Sequence, residues 1–231
     1  MIRLGRWQDV MADVATCDAV ICDPPYGDRT HATALGARRE DGCALENLGP
    51  QYAAWTAGDV AEFVASWSPR CSRWMVALTC SDLLCDWRRI LEDAGRYVFA
   101  PVPCVMRGMS VRLAGDGPSS WAVYAIVARP RSKEMATWGA LPGAYVGAPG
   151  REAGGGRGKP DWLMRALVRD YSRRGDLIVD PFAGWAATGM AAMGLDRRFL
   201  GAEVDPDAHA EGMRRLGRGQ QADLFASTGA A

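Results

Sequence analysis

The 231-residue chain is short of the residues that build metal centres and of long apolar runs. It has two histidines, His31 and His209, so a multi-histidine metal site is excluded and no metal is expected. The seven cysteines, at positions 17, 22, 43, 71, 80, 85 and 104, form no CxxC pair and are odd in number. That usage fits neither a disulfide framework nor a zinc knuckle, and predicts mostly buried, reduced thiols. No stretch approaches the roughly 18 to 20 consecutive apolar residues of a membrane span. The opening MIRLGRWQDVMADV has no apolar centre of a secretion signal, so a cytoplasmic protein without membrane contact is expected. Net charge is missing too, since 27 Lys and Arg balance 27 Asp and Glu, and lysine is nearly absent, with Lys133 and Lys159 the whole complement.

What is present is a composition 48% hydrophobic, enough to bury one good core and too apolar for disorder. The charges are unevenly spread: residues 96–174 carry 13 basic and 5 acidic side chains, residues 1–95 carry 9 and 14, and residues 175–231 carry 5 and 8. A polyanion would therefore sit on the middle of the chain. Arginine, the better bidentate partner for phosphate and guanine, supplies 25 of the 27 cations, although a GC-biased genome explains that excess equally well.

Two apolar runs read as buried parallel strands, Ala19-Val20-Ile21-Cys22 and Leu177-Ile178-Val179. Each runs into an Asp-Pro corner, Asp23-Pro24-Pro25-Tyr26 and Asp180-Pro181-Phe182-Ala183-Gly184. Proline cannot donate to a ladder, so each strand must stop there with a carboxylate at the carboxyl edge of the sheet, where α/β proteins bind ligands. Between them the pattern predicts helices over 59–66 and 81–94 and strands over 74–79, 97–102 and 121–128. After Gly184 come a helix over 186–193, a strand over 198–202 and a helix over 206–216. The alternation predicts one α/β domain spanning 1–231, a doubly wound, mostly parallel sheet with helices on both faces. Residues 27–51, 107–120 and 139–158, the last with eight glycines, fit no element and read as long functional loops.

Asp23-Pro24-Pro25-Tyr26 presents a carboxylate, a stiffly held carbonyl and an aromatic ring together, a combination suited to a planar amine. An amino group on a nucleobase is a poor nucleophile because its lone pair is delocalised into the ring. Accepting both N–H protons, on Asp23 and the Pro24 carbonyl, turns that lone pair towards an electrophile while Tyr26 stacks on the base. The plainer alternative is an ordinary turn after a strand. In the second corner Glu203 follows Gly184 by nineteen residues at the end of the next strand, the spacing of a ribose-hydroxyl acceptor. The turn reads GWAATG and not GxGxxG, so a nucleoside without pyrophosphate, such as S-adenosylmethionine, fits better than a dinucleotide. Asp180 would then lie near the ammonium of its amino acid moiety. The alternative reading makes Gly184 a strand–helix cap and Glu203 a solvated strand end.

DPPY at 23–26, KP at 159–160 before WLMRALVRDY, LIVDPFAGWAATG at 177–189 and GAEVD at 201–205 together resemble the beta group of DNA amino-methyltransferases, in which the catalytic motif precedes the cofactor motif. The resemblance spans roughly the first quarter and last third of the chain. It implies a Rossmann-like methyltransferase fold, S-adenosylmethionine as cofactor, and transfer of its methyl to the N6 amine of adenine turned out of duplex DNA, alone or with a separate nuclease. Carried over, Asp23, Pro24, Pro25 and Tyr26 hold the base; Asp180, Pro181, Phe182, Ala183, Gly184 and Glu203 hold the cofactor, with Lys159 and Pro160 flanking its methionine end. Asp9 corresponds to the family's residue near the cofactor adenine. Arg107, Arg112, Arg151 and Arg157, in the long loops, are the candidates for DNA contact, with a solvated surface as the alternative for each. A homodimer is compatible with the resemblance. The sequence departs from the family where Ser-Gly-Thr-Thr is replaced by Trp185, Ala186, Ala187 and Thr188; the Trp185 ring either adds packing or meets the methionine tail.

Other readings lead elsewhere. Pro103-Cys104 offers the nucleophile of a C5-cytosine enzyme but leaves DPPY unexplained. Protein glutamine methyltransferases carry Asn-Pro-Pro-Tyr, whereas Asp23 prefers an amine with two N–H donors. N4-cytosine members of the resembled family more often begin the tetrapeptide with Ser, so Asp23 favours adenine, with N4-cytosine as the alternative. A degenerate domain that binds nucleic acid with weak or no cofactor binding is the non-catalytic alternative.

Overall fold

The computed structural model describes residues 1–28, 53–108, 121–149 and 159–228. The strands among them are β1 (Ile2–Leu4), β2 (Cys17–Cys22), β3 (Cys71–Thr79), β4 (Tyr97–Val98), β5 (Val102–Met106), β6 (Ala122–Arg129), β7 (Tyr145–Gly147), β8 (Leu177–Asp180) and β9 (Arg198–Glu203). They form one sheet in the order β1-β9-β8-β2-β3-β6-β5-β7, with β4 also paired to β6. Every pairing among them is parallel except the three that β6 makes, with β3, β4 and β5. The helices that accompany the sheet are α1 (Trp7–Val10), α2 (Ala57–Trp67), α3 (Leu84–Asp93), α4 (Asp161–Tyr171), α5 (Ala187–Met193) and α6 (Pro206–Thr228). None of the described helices is long and apolar enough to cross a membrane.

Strand periodicity explains why both faces are covered. On β2, Val20 and Cys22 point to one face while Ala19 and Ile21 point to the other; on β3, Met75 and Ala77 alternate with Trp74, Val76 and Leu78. The first set packs with Phe63, Val64 and Trp67 of α2 and Trp87, Ile90 and Leu91 of α3. The second packs with Leu163, Met164, Leu167 and Val168 of α4 and Ala191 and Ala192 of α5. Strands apolar on both faces can only be central, as the two unbroken runs in the sequence predicted.

Helix ends follow local chemistry. Thr56 caps α2 by accepting from the Asp59 N–H while the Asp59 carboxylate accepts from the Thr56 N–H, a reciprocal capping box. Asp205 accepts the Asp207 and Ala208 N–H groups and Pro206 opens α6, where a missing N–H costs nothing.

The structure adds β1 and α1, which the sequence expectation lacked, carries α6 from 216 on to Thr228, and amends the expectation in three further places. The single strand expected over 97–102 is two, because the chain leaves the ladder before Pro101, which has no N–H to donate. The loop expected over 139–158 contains β7, a three-residue strand parallel to β5, anchored by buried Tyr145 whose hydroxyl donates to Asp170 at 2.8 Å. The helix expected from Ser81 starts as a 3-10 turn, Ser81–Leu83, before α3. No sequence pattern marked Arg96, 3% exposed, which donates to the backbone carbonyls of Ser68, Cys71 and Arg73 and to the Ser68 hydroxyl, tying the end of α2 to the start of β3.

Candidate active site at the β2 and β8 corners

β8 and β2 are neighbours, with Ala19 opposite Ile178 and Val20 opposite Val179. From β8 the chain works outwards to β9, and from β2 it works outwards the other way to β3. The crevice beyond their carboxyl ends is therefore a topological switch point, the position at which an open α/β sheet leaves room for a ligand. Both Asp-Pro corners open onto it.

At the β2 corner Pro24 and Pro25 are buried and Asp23 and Tyr26 half-buried. The Tyr26 hydroxyl donates to Asp23 Oδ1 at 2.9 Å, and Lys159 Nζ donates to Oδ2 at 2.6 Å. The same ammonium lies 4.8 Å from the centre of the Tyr26 ring. Lys159 is thus brought to the Asp23 carboxylate, directly before the α4 cap residue Pro160. A carboxylate beside an aromatic face is what a planar amine needs for two contacts at once, one in the plane of its N–H bonds and one over its ring.

At the β8 corner Asp180 is 2% exposed and both its oxygens are taken internally, Oδ1 by the Phe182 N–H at 3.0 Å and Oδ2 by the Thr188 hydroxyl at 2.6 Å. Burial pushes its pKa up to about 7; these two donors oppose the rise, and the Asp23 and Glu203 charges add to it. Glu203, half-buried, accepts from the Gly184 N–H at 2.7 Å and from the Asp205 N–H at 2.9 Å. The Ala183 N–H donates to Ala202, which fastens the turn to β9. Gly184 has φ +48°, and a Cβ there would meet nothing within 4 Å, so bare backbone faces open space. Pro181 and Ala183 are buried behind it. Trp185 is half-buried.

The two corners are joined by residues that the sequence reading did not single out. The Trp55 N–H donates to the Tyr26 carbonyl at 3.0 Å, and its ring meets Phe182 edge-on at 5.2 Å. Phe63 packs on both Trp55 and Phe182 at 5.7 Å. Arg215 of α6 donates to the Trp185 carbonyl at 2.9 Å and to Asp161 of α4 at 3.1 Å, clipping the turn between two helices. A lone Trp after an unassigned stretch and one Arg among many carry no pattern that would have marked them.

Other candidates lie apart or beyond the description. Asp9 is exposed on α1. Arg107 is exposed just after β5, at the same edge of the sheet as Asp23 and three strands away, about 14 Å at ordinary strand spacing. Arg112, Arg151 and Arg157 fall outside the described residues. Cys104 is fully buried on β5 with its thiol pushed up by burial to about 11, which leaves the Pro103-Cys104 nucleophile reading without an accessible thiolate.

Residues 156–214 match the DNA methylase family. A stretch of 58 residues, a quarter of this chain, is 38% identical to the DNA adenine methyltransferase YhdJ of Escherichia coli (strain K12) and covers 20% of that protein. Another alignment of 58 residues is 34% identical to the type II methyltransferase M2.DpnII of Streptococcus pneumoniae, 22% of whose length is covered. The chain thus aligns with about a fifth of each of these relatives. Across the whole fold, the crystal structure of the M1.HpyAVI–SAM complex superimposes with a TM-score of 0.65 at 20% identity, covering 94% of this chain and all of that one. PvuII DNA methyltransferase, cytosine-N4-specific, gives 0.66 at 12% identity, covering 93% and 85%. The fold is the Rossmann-like methyltransferase fold.

Proposed function

We propose that the chain transfers the methyl group of S-adenosylmethionine to the exocyclic N6 amine of adenine in DNA, acting on a base turned out of the duplex. The observation that carries this reading is the adjacency of β2 and β8, which sets the Asp23–Tyr26 corner beside the Asp180–Gly184 turn at one crevice.

The residues of the β8 corner fit the cofactor. Glu203 is held by two backbone N–H groups and keeps lone pairs for ribose hydroxyls. Gly184 leaves space over the turn, and Phe182 offers an aromatic wall. Asp180, both oxygens engaged, shapes the turn from beneath. When bound, the cofactor supplies an electrophilic methyl group on a sulfonium.

The chain's own residues supply the rest. Asp23 and the Pro24 carbonyl accept the two amine protons and turn the nitrogen lone pair out of conjugation. The two prolines hold that carbonyl, and Tyr26 stacks on the base. As the nitrogen gains its methyl it gives up one proton, and Asp23, already bonded to it, is the first acceptor. Arg107, with the other arginines of the basic middle segment, would grip the flanking phosphates. The name of one relative, the DNA adenine methyltransferase YhdJ, supports adenine, as does Asp in place of Ser at the head of the tetrapeptide.

The test is transfer of labelled methyl from S-adenosylmethionine to mixed genomic DNA, followed by chromatography of the digested nucleosides. Label in N6-methyladenine is the expected result. Label in N4-methylcytosine would keep the mechanism and move the base; no label with folded protein would overturn the reading.

A further inference from the structure

In this structure the amine receptor already holds an amine. Lys159 Nζ sits 2.6 Å from Asp23 Oδ2 and over the Tyr26 ring at 4.8 Å, while the Tyr26 hydroxyl takes Oδ1. Those are the two contacts that a target base would make, an N–H on the carboxylate and a π-face on the ring. Base and ammonium cannot occupy that place together. The pair is partly shielded, with side chains 19% and 30% exposed, so salt screens it less than a fully exposed pair.

We propose that Lys159 is an internal competitor for the amine receptor, which an entering base must displace. The proposal rests on the reading of this corner as the base site. Its consequence is a threshold. Breaking the Lys159–Asp23 bond costs free energy, and only a base that returns N–H donors to Asp23 recovers it. A base without an amine offers Asp23 no such donor and stays outside with the lysine or without it. In affinity terms the lysine imposes a conformational tax on every correct base, and removing it lowers that tax without adding any contact. The second lysine, Lys133, is exposed and makes no such pair among the described residues, so the effect belongs to this position and not to lysine in general.

The experiment compares wild type, Lys159→Met and Lys159→Arg by fluorescence-anisotropy titration with single-stranded oligo(dA) and oligo(dT) of equal length. Phosphate contacts are common to both oligonucleotides and cancel in the ratio of their dissociation constants. Lys159→Met keeps the length and the cover on Tyr26 but removes the charge. It is expected to raise the preference for oligo(dA) over oligo(dT) about tenfold, and Lys159→Arg to bring it back towards wild type. In methyl transfer to genomic DNA the same change should appear in KM and not as a gain in kcat. An unchanged or smaller preference in a Lys159→Met protein that still transfers methyl overturns the competitor role and leaves the proposed function standing. Absence of methyl transfer by wild type removes the proposed function, and the competitor role with it.

Discussion

The two Asp-Pro corners are built from the same dipeptide at the ends of adjacent parallel strands, and they end in opposite states. At β2 the carboxylate of Asp23 is 30% exposed and held by two side-chain tips, the Tyr26 hydroxyl and the Lys159 ammonium. At β8 the carboxylate of Asp180 is 2% exposed and held by a backbone N–H and the Thr188 hydroxyl on the first turn of α5. Side-chain tips can leave; a backbone amide inside a turn cannot. The difference separates a group free to change partners during a reaction from a group that fixes the shape of a loop. It predicts that loss of the Asp23 carboxylate registers in turnover, and loss of the contacts that hold Asp180 in stability.

The largest effect tests that division directly. Asp23→Ala is expected to reduce methyl transfer by at least about 10²- to 10³-fold, the usual cost of losing a preorganised polar partner of the reacting group. The thermal midpoint should stay within a few degrees of wild type, because the carboxylate's partners regain water at a half-open site. A matching loss of stability would erase the distinction between the corners. Next is Thr188→Val, nearly isosteric, which leaves Asp180 Oδ2 buried without its donor. A cost of about 1 to 3 kcal/mol is expected in denaturant unfolding, with any loss of methyl transfer tracking the loss of folded protein.

Both corners were legible in the sequence because they depend on strong local rules. An apolar run that meets proline must end, and the residues after it must lie at the sheet edge. The adjacency of the corners was not legible from the residues alone, because the contacts that join β2 to β8 are remote in the chain: Asp18 accepts from the Leu177 N–H across 159 positions, and Val20 pairs with Val179 in the same register. The partner of Asp23 was hidden for the same reason. Lys159 is 136 positions away, and nothing in KP before a helix says which carboxylate the ammonium meets. Short elements were lost to weak signals, as with β7, three residues among glycines. Trp55 shows the limit most clearly, because its importance lies wholly in touching both corners.

Protonation distinguishes the corners by a comparable amount. Asp180 in the folded protein titrates at about 7 against an ordinary value of 3.8, so folding raises its pKa. Between those values the folded state binds the proton and the unfolded chain does not. This group's contribution therefore falls as pH rises from about 4 to about 7 and is level above that. Asp180→Asn keeps an oxygen for the Phe182 N–H and offers an amide to the Thr188 hydroxyl, with no charge to bury. Unfolding curves at pH 5 and pH 8 should show the variant gaining about 2 to 3 kcal/mol on wild type at the higher pH. Equal gains at both values would mean that the buried charge is not the cause.

The smallest effect concerns strain, which the β8 corner carries and the Pro-Pro corner does not. Ala186, fully buried, sits at φ +63° and ψ +31°, a left-handed conformation that costs an L-residue roughly 1 to 2 kcal/mol. It persists because the turn is fastened on every side: the Ala186 N–H to Ala183, the Ala183 N–H to Ala202, and Gly184 to Glu203. Ala186→Gly removes the strain, while glycine's extra freedom in the unfolded chain takes back roughly 0.4 to 1 kcal/mol. The net expectation is a gain of about 0.5 kcal/mol in denaturant unfolding, from the difference of those two terms. A loss larger than about 1 kcal/mol would show that the buried methyl, packed with Ile2, Ala183 and Leu216, holds the turn more by contact than its backbone opposes by strain. In that case the alanine is a working part of the corner, and the β8 turn is tightened by the substitution that sets this chain apart from the family it resembles.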